Sequence, residues 1–221
     1  AVPVDLGAKN PDEYMSKIRE ATKDIEVTVV MNNAGYLLMG FFNERDVDHH
    51  ISNIECNALS GVRITHYFVN RMIELKKKQP ASYKGGCVCF TSSAAQFLPT
   101  PFASMYGAGK AFVTEFAMSI SVEVADHDID ILAIHPSYTS TNLYSSTPKL
   151  GVLNFLAKFA ATPDDVADAM FRGVGRVIAL DLGWYGMLTR VLPRIIDICL
   201  LVKIMIPFRK TIPEYKAFAP K

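Results

Sequence analysis

Val27-Thr28-Val29-Val30-Met31, followed at once by Asn32-Asn33-Ala34-Gly35, is the stretch that decides the fold of this 221-residue chain. A short, near-continuous apolar and β-branched run is how a strand reads when helices cover both faces of its sheet. The small and amide residues after it let backbone approach a ligand closely, or simply make a turn. Two more such runs lie at 87–91 and 129–135. Between and around them, residues 11–22, 49–75, 104–124 and 163–174 carry helical patterning. Ile51, Ile54, Ala58, Val62, Tyr67, Val69 and Ile73 recur at roughly helical spacing within the second of these. Thr162-Pro163-Asp164-Asp165 reads as a helix start, with a Thr cap, Pro in the first turn and acids behind it. This alternation predicts an α/β domain built on a doubly wound parallel sheet. Residues 1–4 look like one more strand, entered part-way, so an N-terminal portion is expected to be missing.

Composition removes several function classes. A net charge of +1 leaves no electrostatic footprint for nucleic acid. The Lys76-Lys77-Lys78 run reads as a solvated helix end rather than a binding patch. Cysteines 56, 87, 89 and 199 have no CxxC pairing, and the five histidines have no ligand spacing such as HExxH. No metal is assigned, and no signal-peptide pattern follows Ala1.

The last part of the chain differs in character. Residues 187–208 are strongly apolar but interrupted by Arg190, Arg194, Asp197 and Lys203, so no uncharged run reaches the roughly 20 residues of a membrane span. Arg190, Arg194 and Asp197 are spaced to form one polar stripe on a single greasy helix. A substrate-covering helix, an interfacial membrane helix and ordinary packing against the body all fit. The chain therefore divides into a domain at 1–183, incomplete at its start, and an apolar helical tail at 184–221.

The chemistry begins at Tyr106-Gly-Ala-Gly-Lys110. Residues four apart on a helix share a face, and an ammonium near a phenol favours the phenolate and pulls its pKa down toward neutrality. The pair alone carries little weight, since this composition yields about half a chance match. Ser93 adds to it, because Thr91-Ser92-Ser93 closes a strand and ligands bind at the C-terminal strand ends of open α/β sheets. A hydroxyl there can orient a substrate carbonyl. Asn57 adds more: an amide inside an apolar helix needs hydrogen-bonding partners, either to cap a bend or to hold a water leading to Lys110.

Jointly, Asn32-Asn33-Ala34-Gly35, Asn57 with Ala-Leu-Ser-Gly, Thr91-Ser92-Ser93, Tyr106-x-x-x-Lys110 and the Pro136 turn resemble the short-chain dehydrogenase/reductase family, in its order and spacing. The resemblance implies a Rossmann-like fold and an NAD(P)-dependent ketone–alcohol oxidoreductase. It makes Tyr106 the general acid/base and has Lys110 lower its pKa and bind the nicotinamide ribose. Ser93 would orient the carbonyl, and Asn57 would complete a proton relay. For the cofactor it implies Asp5 at the adenine amino group with Leu6 beside it. Asn33, Ala34 and Gly35 would line the adenosine ribose, with Pro136, Thr139 and Thr141 near the nicotinamide amide or phosphate. Ser137 stands where the family usually has Gly.

The family's Gly-rich pyrophosphate turn has no counterpart. Gly107-Ala-Gly109-Lys110 falls inside the helix of Tyr106, and Gly173-Val-Gly175 lacks a third glycine. Roughly two βα units are expected to be missing, and this piece alone is expected to bind dinucleotide poorly. Phe97-Leu-Pro-Thr-Pro101, Pro148-Lys149-Leu150 and the apolar tail are similar to the 17-beta-hydroxysteroid dehydrogenase and very-long-chain 3-oxoacyl-CoA reductase branch. That branch implies a bulky apolar substrate, acyl thioester or steroid-like, chosen by residues 138–161 and the tail. It also implies NADP(H) rather than NAD(H) and attachment to the endoplasmic reticulum membrane. The interfacial reading of 187–208 allows contact with a membrane surface, and the wider family implies a homodimer formed by the helices of Asn57 and Tyr106. A general small-ketone carbonyl reductase is the rival among enzymes. A dehydrogenase-like lipid-binding or membrane-scaffold protein is the rival outside them.

Overall fold

The computed structural model describes residues 1–145, 147 and 151–219; Pro148, Lys149 and Leu150 of the substrate-choice stretch lie outside the described residues. Four strands, β1 Val29–Asn32, β2 Gly86–Thr91, β3 Ile129–Pro136 and β4 Ala179–Leu182, form one sheet in the order β1-β2-β3-β4. Every neighbour pair is parallel, with Val30 beside Val88, Val88 beside Ile131 and Ile134 beside Leu180. Parallel neighbours require crossovers. α1 Asp12–Thr22 leads into β1, and α2 Val47–Ile54 and α3 Ser60–Lys78 join β1 to β2. α4 Ser104–Glu123 joins β2 to β3, and α5 Gly151–Ala157 with α6 Pro163–Gly173 joins β3 to β4.

Both faces of the sheet are covered, which is why the strands read as unbroken apolar runs. On one face Val30, Val88, Phe90 and Ile131 pack against Phe68 and Met72 of α3 and Val113 and Ala117 of α4. On the other, Cys89, Leu132 and Ile134 meet Ala169 and Met170 of α6. The expected α/β class is the observed one. The start of α6 also follows its sequence: Thr162 and Asp165 close a reciprocal capping box, with Pro163 opening the helix.

Four local expectations are corrected. Residues 1–4 form no strand; β1 pairs only with β2 among the described residues, so no neighbour stands beside that segment to complete a ladder. β4 was not expected, because it is four half-buried residues long and Asp181 breaks its apolar pattern. The helix expected over 49–75 is α2 and α3 joined by a π turn at Glu55–Leu59, where the Ser60 N–H reaches back to the Glu55 carbonyl. The buried Glu55 carboxylate anchors that turn, accepting from the Tyr14 hydroxyl at 2.6 Å and from Arg63 Nε at 3.1 Å.

The tail is the fourth correction. It comprises α7 Trp184–Ile195, α8 Ile198–Phe208 and α9 Pro213–Phe218 rather than one helix. Asp197 is the cap of α8, accepting from the Leu200 N–H at 2.9 Å, while Arg190 turns inward to Asp181 at 2.8 Å. The single polar stripe therefore does not exist. Among the described residues no helix is long and apolar enough to cross a membrane.

Phe90 is 1% exposed and meets the Phe116 ring edge-on at 5.8 Å. Truncating such a ring removes its transfer energy and leaves a cavity. Phe90→Ala should destabilise the fold by about 3–5 kcal/mol, read as a lowered urea midpoint; an unchanged midpoint would contradict the described core.

Candidate active site

Because β1, β2 and β3 run parallel, their C-terminal ends lie at one edge of the sheet, and the segments leaving them frame a common cleft. The cleft has a volume of about 830 Å³; its lining includes Asn33, Asn57, Ser93, Tyr106, Lys110 and Thr139. Residues distant in sequence thus converge on one space.

Tyr106 and Lys110 lie one turn apart on α4, both buried, with the Lys110 ammonium 5.6 Å from the centre of the Tyr106 ring. The ammonium donates to the Thr91 carbonyl oxygen at 2.7 Å, at the end of β2. Burial lowers Lys110 from its ordinary 10.5 to about 8. Burial also pushes the Tyr106 phenol up, while the Ser93 hydroxyl pulls it back. The net direction is upward, so in this state the phenol holds its proton at neutral pH. Ser93 is in extended conformation just past β2, where its oxygen accepts from the Ala95 N–H at 3.1 Å.

Asn57 occupies the π turn. Its amide nitrogen donates to the carbonyls of Tyr36 and Asn53, both at 2.9 Å, and its oxygen accepts from the Tyr36 N–H at 3.2 Å. The side chain therefore pins the loop that follows β1. Gly35 belongs to that loop for a steric reason: a Cβ there would collide with Asn57 Oδ1 and come within 3.5 Å of Lys110 Nζ. Asn33 Oδ1 accepts from the Thr91 hydroxyl at 2.7 Å, tying the same loop to β2.

The residues expected at a dinucleotide divide into three groups. Asn33, Gly35, Tyr106, Lys110, Pro136, Thr139 and Thr141 line the main cleft. Leu6 and Ala34 line a smaller adjoining crevice that also reaches Asn33 and Asn57. Asp5 is exposed and accepts from the Gly7 N–H at 2.8 Å, lining neither space. The 136–141 segment is held in place where Thr139 bridges Ala161 just before α6. The buried amine, the side-chain-free approach at Gly35 and the size of the cleft fit a nicotinamide and its ribose. No glycine-rich turn is present among the described residues to hold a pyrophosphate.

Sequence reading missed the second chamber. An apolar cavity of about 320 Å³ shares Ser93, Tyr106 and Tyr144 with the cleft and continues beneath the tail, where Tyr185, Thr189 and Met205 line it. Tyr144 stacks on Tyr138 with ring centres 4.3 Å apart, and burial raises its phenol. Both rings lie in the 138–161 stretch expected to choose the substrate, but neither belongs to a spacing motif that singles it out. Also unforeseen was the chain of polar contacts that ties the tail to the site. Arg190 pairs with Asp181, Asp181 with His135 at 2.7 Å, His135 with Thr114 at 3.1 Å, and Thr114 with Ser92 at 2.8 Å. Ser92 then donates to the Lys110 carbonyl.

Known proteins resemble this chain in sequence and in fold. The chain is 31% identical over 131 residues to a very-long-chain 3-oxoacyl-CoA reductase-B of Danio rerio, covering 58% of this chain and 40% of that protein. It is 31% identical over 137 residues to 17-beta-hydroxysteroid dehydrogenase type 3 of Mus musculus, covering 59% and 41%. A 28% identity over 133 residues, covering 59% and 38%, links it to the inactive hydroxysteroid dehydrogenase-like protein 1 of Homo sapiens. The matches thus span about 40% of the length of these curated relatives. A 7beta-hydroxysteroid dehydrogenase structure superposes with a TM-score of 0.71 at 21% identity, covering 87% of this chain and 71% of that one, which establishes likeness of fold. Residues 1–149 match the family model described as short chain dehydrogenase, and the chain belongs to the short-chain dehydrogenase/reductase family.

Proposed function

We propose that the protein carrying this chain is an NADP(H)-dependent reductase of ketones on bulky apolar molecules, 3-oxoacyl thioesters or steroid-like compounds. The observation that carries this reading is the convergence of Tyr106, Ser93 and Lys110 on a cleft that opens into an apolar chamber. When bound, the cofactor supplies the hydride. The protein's own groups do the rest. Tyr106, with its phenol protonated at neutral pH, delivers a proton to the substrate oxygen as negative charge builds there. The Ser93 hydroxyl donates to that same oxygen and fixes its position beside the phenol. Lys110 holds the nicotinamide ribose, and its charge favours the phenolate left after proton delivery. Asn57 fixes the loop at Tyr36 and completes a proton path toward Lys110 through water.

Asn33, Gly35, Pro136, Thr139 and Thr141 would hold the nicotinamide half, and Leu6 and Ala34 the adenosine side. In this reading the tail at 184–221 covers the substrate, since Tyr185 and Met205 already line the chamber. A homodimer through the helices of Asn57 and Tyr106, and residence at the endoplasmic reticulum, belong to the same reading.

The test is NADPH oxidation by the protein carrying this chain, with a 3-oxoacyl thioester and a 17-ketosteroid as substrates. Tyr106→Phe should lower kcat by at least about a hundredfold, the scale of one general acid, with the fold intact by circular dichroism. Turnover unchanged by Tyr106→Phe, or absent with both substrates, overturns the reading and favours a non-catalytic relative.

Lys110 gives a second prediction, in stability. Its folded-state pKa lies below its ordinary value, so at neutral pH both folded and unfolded chains are protonated and the folded one carries the desolvation penalty. Between about 8 and 10.5 the unfolded chain binds the extra proton, and this group's contribution to stability rises with pH. The rise is on the order of 3 kcal/mol. Lys110→Met should flatten the stability–pH curve in that window relative to the parent; superimposable slopes would refute a buried, depressed amine.

A further inference from the structure

α7 is amphipathic with its apolar side turned outward. Trp184, Met187, Leu188, Val191 and Ile195 fall within about 100° of one another on the helix, and all are exposed, Ile195 by 76%. The side facing the body carries Gly186 and Thr189, which are buried, and Tyr185, which reaches the apolar chamber. A helix folded only for its own domain places its apolar stripe inward.

α8 continues the pattern. None of its residues is buried, and Leu200, Ile204 and Phe208, one turn apart, are each half exposed or more, while Met205 turns in to line the chamber. Beside α7, Phe155 of α5 and Phe159 in the turn after it stand half exposed and meet the Trp184 ring edge-on at 6.4 and 5.5 Å. An exposed apolar surface on this scale marks a site of association.

Charge says with what. Residues 184–221 hold seven basic and two acidic side chains, a net of +5 in a chain whose total is +1. Of the two acids, Asp197 is spent capping α8 and Glu214 lines the chamber. Arg194, Lys203, Arg209 and Lys210 are exposed among the apolar groups. Outward apolar side chains, an aromatic cluster and interspersed cations are the chemistry that enters the headgroup layer of an anionic bilayer.

We propose that the outer faces of α7 and α8 dock on an anionic lipid surface, with α7 and α8 lying in the interface. The same two helices line the chamber on their inner faces, so docking places its wall against the layer in which apolar molecules dissolve. The proposal stands apart from the oxidoreductase reading, because it requires no turnover.

Flotation of the full chain with phosphatidylcholine vesicles, with and without phosphatidylserine, tests it. Recovery with phosphatidylserine vesicles should exceed that with phosphatidylcholine alone by at least about tenfold. Leu188→Glu with Val191→Glu, two outward positions, should reduce recovery about tenfold while circular dichroism and the melting midpoint stay at parental values. Tyr106→Phe should float like the parent, which separates docking from catalysis. Failure to float with phosphatidylserine vesicles overturns the proposal, as does a double variant that floats as well as the parent. A dimer in light scattering that the double variant dissociates, without any flotation, overturns it in favour of an interface between copies.

Discussion

A buried ammonium must find a partner, and at Lys110 the partner is the backbone carbonyl of Thr91. That bond joins the middle of α4 to the end of β2 at the place where β1, β2 and β3 deliver their loops. With Lys110 fixed, Tyr106 one turn earlier faces the cleft, and Ser93 just past Thr91 stands beside it. Nearby, a side chain at position 35 would run into the Asn57 carboxamide, and a glycine stands there. Much of the site is therefore backbone geometry organised around one cation, with few side-chain contacts of its own.

The parts of this arrangement that were legible in sequence are those enforced by burial or by a fixed helical offset. β2 and β3 are apolar because both their faces are covered, and Tyr106 and Lys110 are four apart because a helix turn is that long. β4 was hidden because its polar residue has a job: Asp181 serves His135 on one side and Arg190 on the other. An acid in a four-residue strand reads as a loop unless its partners, 46 and 9 residues away, are known. Residues 1–4 erred in the opposite direction. Their composition suits a strand, but a strand exists only beside another, and no propensity encodes the neighbour.

The tail shows why periodicity cannot say which way a helix faces. Residues 187–208 have the spacing of amphipathic helices, yet the side that meets the body is the one with Gly186 and Thr189. Close approach over small residues lets Tyr185 reach the chamber and leaves the larger apolar groups outside. Arg190, on the flank of the helix, pairs with Asp181 of β4 at 2.8 Å. That pair links the wall of the chamber, through His135, Thr114 and Ser92, to the backbone of Lys110.

The turn at Glu55–Leu59 makes the length of its segment matter as well as its spelling. Each residue of a helix advances the chain by about 100°, and the one extra residue held in the wide turn is what lets Asn57 meet the Tyr36 backbone while Phe68 and Met72 still face the sheet. Excising any single amino acid there would relax the turn to ordinary α geometry and put the two halves out of phase. The segment is thus constrained twice over, by its letters at Glu55 and Asn57 and by its residue count.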